Sequence, residues 1–164
     1  GPRGIRAAKQ LGADRLIARS RHAARRKRAR DFGATDIVTE RGEEGIARIR
    51  DMPGGLGADS VLEWVGTPQA MLQAIGSARQ GGYVAYVGVP HGVTLDMEKV
   101  FYEHVHLHGG PAPVRNYLPH LVDLILKGKV DPGRVFDLRL PLDRVAEGYR
   151  AMDERRAVKA LLLP

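Results

Sequence analysis

An α/β fold built on a largely parallel sheet is what this sequence predicts, from three observations. Short β-prone runs alternate with helical stretches along the chain, the order that lays helices over parallel strands. Glycine stands at most of the junctions between them. Hydrophobic residues make up 43% and charged ones 27% of the 164, enough apolar content to bury a core and enough charge to keep the rest wet.

The elements follow in order. Residues 5–11 read as a helix ended by Gly12, and 15–19 as a strand. A strongly basic helix spans 22–32 and closes on Gly33. Ile37 and Val38, between Asp36 and Thr39, make a short strand, and 43–52 a helix with Ile46 and Ile49 on one face. Pro53-Gly-Gly-Leu-Gly57 is a turn by composition. The strand at 59–65 stops at Gly66. Thr67 is then the N-cap and Pro68 the first residue of a helix expected to carry Met71, Leu72 and Ile75 toward the sheet. Gly81-Gly82 is expected to turn the chain into a strand at 83–87, which Gly88-Val89-Pro90 ends. Successive strand–helix–strand passages of this kind cross over with a right hand.

After Pro90 the character changes. A short helix at 97–102, a strand-like stretch at 104–108 and Gly109-Gly110 precede a helix near 114–127. Residues 128–133 read as a turn, 135–140 as a strand, 142–152 as a helix and 158–163 as a final strand. A boundary in that turn separates a sheet-rich body, 1–128, from a C-terminal helix-strand appendix, 129–164.

Composition narrows the chemistry. The absence of cysteine excludes disulfides, thiolate zinc sites and cysteine nucleophiles. No apolar run is long enough to span a bilayer, and no secretory leader is visible, so the cytoplasm is the expected compartment. The balance of 26 Lys+Arg against 19 Asp+Glu gives a formal charge of +7, which invites an anionic partner.

Six short motifs carry a resemblance. Ala7-Ala-Lys-Gln-Leu-Gly-Ala13, Asp31-Phe-Gly-Ala-Thr-Asp36, Gly55-Leu-Gly-Ala-Asp59, Gly81-Gly82 before a strand, Val87-Gly-Val-Pro90 and Ala157-Val-Lys-Ala160 occur in one order. That order resembles the zinc-dependent alcohol dehydrogenases of the medium-chain dehydrogenase/reductase superfamily, over essentially the whole chain. The resemblance implies a Rossmann-type parallel sheet flanked by helices, truncated before strand 1, and a C-terminal segment that returns to a catalytic domain.

Counted back from Ala7, the third glycine of the pyrophosphate-binding turn falls on Gly1, unless Gly1-Pro2 is a cloning remnant. The first two glycines, the strand before them and the zinc-bearing catalytic domain are then missing. Strand 1 is central in the order 3-2-1-4-5-6. Its loss is expected to leave the strands at 15–19 and 59–65 with open edges. They must pair with each other or template association, a homodimer being the expected outcome.

The resemblance also implies cofactor contacts. At the end of the 15–19 strand, where an acid would accept bonds from the adenosine ribose, stand Ser20 and Arg21. A hydroxyl and a guanidinium suit a phosphate ester, with His22 and Arg25 as further donors, so NADP is favoured over NAD. The plainer reading puts Arg19 and Arg21 on a solvated strand end. Trp64, Val65 and Gly66 fall on the loop beside the nicotinamide ribose. Val87, Gly88 and Val89 fall on the backbone that meets the carboxamide. Trp64 is larger than the usual residue there, and is either a core aromatic or a crowding group. Gly110, with Gly109 and Arg115, resembles the loop and helix start lining the cleft, and Lys159 the cation that reaches a pyrophosphate oxygen.

Other constellations are weaker. In a strand His104, His106 and His108 would share a face, but no carboxylate completes a metal site, since Glu103 points the other way. Ser60 and Ser77 lack a nucleophile-elbow context. The charges Arg25, Arg26, Lys27, Arg28 and Arg30 spread around their helix, with only Phe32 as a nearby aromatic, which fits a solvated face better than a nucleic-acid groove. Three classes stay open: a cofactor-binding fragment of an NADP(H) alcohol/carbonyl oxidoreductase, inactive alone; a binding module that keeps the fold without the chemistry; and a basic nucleic-acid partner. No catalytic or metal-ligating residue is assigned within the chain.

Overall fold

Residues 2–52 and 54–164 are described by the computed structural model of the chain. Gly1, counted as the third fingerprint glycine, and Pro53 of the composition-read turn lie outside the described residues. By contacts the chain divides into two units, Gly1–Ala112 and Pro113–Pro164. The stretch 110–123, around this division, is exposed throughout.

The first unit contains α1 (Pro2–Gln10), β1 (Ile17–Arg19), α2 (Ala23–Asp31), β2 (Asp36–Val38), α3 (Gly42–Arg50), β3 (Ala58–Glu63), α4 (Pro68–Ser77), β4 (Ala78–Tyr86), α5 (Met97–Tyr102) and β5 (His106–Gly109). All its strand pairings are parallel. β1 lies beside β2 with Ile17 opposite Asp36 and Arg19 opposite Val38. β4 lies between β3 and β5, with Leu62 opposite Ala85 and Tyr83 opposite His106. β1 and β3 are not hydrogen-bonded to each other, so the first unit holds two separate sheets.

Helices join the two sheets instead. α3 packs on α4, where a methyl group on Gly76 would lie 2.7 Å from Ile46 Cδ1. Arg50 Nε donates to the Gly76 carbonyl at 2.8 Å. α4 starts where the sequence places it: the Thr67 hydroxyl accepts from the Ala70 amide at 3.3 Å, and Pro68 opens the first turn. Met71, Ala74 and Ile75 are buried, and Ala74, Ile75, Ala78, Val84, Val100 and Val105 form one core cluster.

Three expectations are corrected. Leu72 is half exposed, because one position beyond Met71 turns about 100° away from the packed face. Gly81-Gly82 does not turn the chain into a strand: β4 begins at Ala78, directly after α4, and the glycines sit inside it where its register against β3 shifts. Gly81 takes φ +67° there, a conformation glycine adopts without a Cβ penalty. His104 precedes β5 with φ +53°, so the three alternating histidines do not share a strand face. His106 stacks on Tyr83, with ring centroids 4.5 Å apart, and its ring also lies 4.9 Å from that of His104.

The second unit holds α6 (Val114–Leu126), β6 (Leu138–Pro141), α7 (Val145–Asp153) and β7 (Ala160–Leu163). β6 and β7 pair in parallel, Leu138 opposite Ala160 and Pro141 opposite Leu163. Gly148 and Ala151 give α7 a small buried face that lies on them, with Gly148 against Ala160. No helix of the described residues is long and apolar enough to cross a membrane.

Two outcomes follow. Met71→Ala should cost about 2–5 kcal/mol in urea unfolding, whereas Leu72→Ala should cost under about 1 kcal/mol. The second concerns Asp36 at the start of β2. Arg15 donates two bonds to its carboxylate, at 2.8 and 2.9 Å, and with the Thr35 hydroxyl holds its pKa down to about 2. Because the folded value lies below the unfolded one of about 3.9, this stabilisation is complete above that value and fades as pH falls toward 2. Asp36→Asn should flatten the unfolding midpoint against pH in that interval.

Candidate functional site

In a parallel sheet covered by helices, ligands collect at the carboxyl ends of the strands. Two groups of residues occupy such ends here.

The first follows β1. Ser20 continues the pairing by donating its amide to the Val38 carbonyl at 3.1 Å. Its hydroxyl accepts from the His22 amide at 3.3 Å, which sets the entry into α2. α2 has no acid in its first turn and no side-chain cap on its N-terminus. Arg21 and Arg25 are exposed beside it, and Arg26 Nη1 donates to the Arg21 carbonyl at 2.5 Å. Cations at a helix N-terminus oppose the helix dipole, so this corner is electrostatically suited to an anion.

Arg19 behaves differently from Arg21. It is not on a solvated strand end: its Nε donates to the Glu40 carbonyl at 3.1 Å and its Nη2 is buried against Gly45 of α3. That Nη2 has no hydrogen-bond partner among the described residues, and burial, with Arg41 nearby, lowers the guanidinium pKa. Of the two, only Arg21 is exposed to solvent. Arg19 is committed to the fold.

The second group joins the loops after β3 and β4. β3 ends at Glu63, so Trp64 and Val65 stand in the loop beyond it. Gly66 has φ +78°, and a methyl group on it would overlap the Val89 carbonyl oxygen. One on Gly88 would overlap the Gly66 amide nitrogen. The two loops thus touch through their backbones at a pair of glycines. The Val87 amide donates to the Glu63 carbonyl at 2.8 Å and the His91 amide to the Gly66 carbonyl at 3.3 Å. Val65, Val87 and Val89 keep more than half of their surface exposed, forming an apolar rim.

Trp64 is 43% exposed and packs against α1, where a methyl on Gly4 would lie 2.5 Å from its Cζ2. It is thus a packing aromatic with one open face. Gly110 follows β5 at the same edge of the sheet, in open space with φ +146°.

The structure brings Trp64, Val65, Gly66, Val87, Gly88 and Val89 together, and separately Ser20, Arg21 and Arg25. Lys159 and Arg115 belong to the second unit and are exposed. There the Asp137 carboxylate accepts from the amides of Val158 and Lys159, at 2.8 and 3.1 Å, which fixes the backbone leading into β7.

One residue of the site escaped sequence reading. Glu63 is 5% exposed, and its two carboxylate oxygens accept the amides of Val65 at 2.6 Å and Gly66 at 2.9 Å. The available signal was an acid in the last position of an apolar strand, immediately before the loop. Metal donors do not assemble: no group of three or more His, Asp or Glu among the described residues could hold an ion.

Substituting alanine separates the two demands on Gly66. Gly66→Ala faces both the left-handed backbone and the Val89 carbonyl, whereas Gly92→Ala, at φ +61° with open space around it, faces the backbone alone. Gly92→Ala should cost about 1–2 kcal/mol and Gly66→Ala clearly more, read from denaturant midpoints.

A zinc-binding dehydrogenase family model matches residues 1–127. A probable zinc-binding alcohol dehydrogenase of Mycobacterium tuberculosis is 35% identical over 147 residues, covering 88% of this chain and 37% of that protein. The L-threonine 3-dehydrogenase of Bacillus subtilis is 29% identical over 170 residues, 100% of this chain and 49% of its own. Among solved structures, the alcohol dehydrogenase of Thermus sp. ATN1 superposes with a TM-score of 0.88 at 30% identity, over 99% of this chain and 48% of that one. An NAD-dependent alcohol dehydrogenase superposes with a TM-score of 0.85 at 30% identity, over 99% and 47%. The chain spans half or less of the length of each of these relatives.

Proposed function

We propose a function from one premise: the chain belongs to the zinc-binding dehydrogenase family. As an alcohol dehydrogenase-like cofactor-binding domain it holds a nicotinamide dinucleotide along the carboxyl edge of its strands, and serves hydride transfer between NADP(H) and an alcohol or carbonyl compound. The observation that carries the choice of NADP is Ser20-Arg21 at the end of β1, beside an α2 first turn that has cations and no acid. A carboxylate there would repel a 2′-phosphate; a hydroxyl and guanidinium donate to it.

On this reading Ser20, Arg21 and Arg25 take the adenosine end. Trp64, Val65, Gly66, Val87, Gly88 and Val89 form the platform for the nicotinamide end, where glycines let the backbone approach the ligand. Gly110 extends that edge. Residues 1–128 do the holding, and 129–164 form the segment that returns toward a catalytic domain. When bound, the dinucleotide supplies the hydride chemistry; these residues bind and orient it. The described side chains offer no zinc donor set, so no metal step is assigned to them. On this reading the 164-residue chain is inactive alone.

The partner on this reading is a second copy of the chain. β1 and β3 each pair on one side only, and an open parallel edge recruits another strand.

NADPH should bind with at least about tenfold higher affinity than NADH in a fluorescence titration, and Ser20→Asp should remove the difference. Equal affinities in the wild type would reject NADP. Sedimentation should give a concentration-dependent dimer; a monomer at all concentrations rejects the edge-paired form.

A further inference from the structure

We propose that Glu63 is a positioning residue for the nicotinamide end of the cofactor, an inference that rests on the dinucleotide reading above. Three hydrogen bonds meet at this one residue. Its carboxylate accepts the amides of Val65 and Gly66, and its carbonyl accepts the amide of Val87 from the other loop. It is one of two polar side chains buried in the described residues, the other being Ser77 at the end of α4.

A buried carboxylate is costly unless its oxygens are satisfied, and here each oxygen has a backbone donor. The loop is therefore the counterpart of the charge: the amides of Val65 and Gly66 must face inward for the carboxylate to remain buried. Once they do, Gly66 is pressed on Val89 and Gly88 on Gly66, so the position of one loop fixes the other. With these amides occupied and the Gly66 carbonyl held by the His91 amide, the loops offer a bound molecule the apolar surfaces of Val65, Val87 and Val89. That surface suits a flat ring. Glu63 itself stays beneath and does not touch it.

Glu63→Gln tests this in the intact chain. The amide side chain keeps one acceptor oxygen and sets an NH2 against the second backbone amide. Two ligands are titrated: NADPH, and adenosine 2′,5′-bisphosphate, which lacks the nicotinamide half. The expected result is a loss of roughly tenfold or more in NADPH affinity with the bisphosphate unchanged, and amide exchange at Val65 and Gly66 at least about tenfold faster. Unchanged NADPH affinity overturns the proposal, and so does an equal loss for both ligands, which marks a general structural defect. A wild-type chain that binds neither ligand overturns the dinucleotide reading, and the Glu63 proposal with it. Exchange at Val65 and Gly66 separates the loop-holding step from that failure. Should Glu63→Gln not fold, rapid exchange of those two amides in the wild type still rejects the proposal, and slow exchange supports it.

Discussion

The contact between α3 and α4 is what makes one body of two separate sheets. Parallel strands ordinarily transmit position through a continuous hydrogen-bond ladder, but here the ladder stops at β1 on one side and β3 on the other. Ile46 against Gly76 and Arg50 on the Gly76 carbonyl span the interruption above the sheet. α1 adds contacts of its own, Trp64 lying on Gly4 and the Lys9 side chain beside Gly33. Small residues recur at these places because a helix replaces a ladder only where backbones approach closely.

That constraint governs the candidate site as well. Its charged corner is built on the β1–β2 pair and its glycine-paired loops on β3 and β4, so helix packing sets their separation. Within each corner, short-range bonds take over: the Ser20 hydroxyl with the His22 amide, and the Glu63 carboxylate with the loop amides beyond β3. The first corner is exposed and charged, the second apolar and locked by backbone contact. Such a division suits a ligand with a phosphate-bearing end and a ring-bearing end.

The excess positive charge has a plainer place in this scheme. α2 buries only Ala29, and its five basic residues surround that one contact. Arg28 and Arg30 in the last turn agree with the helix dipole, whereas Arg25 near the start opposes it. Only the N-terminal end, next to Ser20, is therefore suited to gain from a bound anion.

The alternation of runs and glycines determined the parallel α/β class, the order of its elements and the cap of α4 at Thr67 and Pro68, because propensity, capping and turn chemistry are local. The same local signals put Ser20 and Arg21 at a strand end and Gly66 and Gly88 in loops. Tertiary structure alone decided the rest. It turned Leu72 outward, absorbed Gly81-Gly82 into β4, released His104 from β5, drew Arg19 beneath α3 and buried Glu63. The physical reason is common to all five: each depends on what lies across the chain, a helix face, a strand register or a facing loop, and no pattern within a few residues encodes that neighbour.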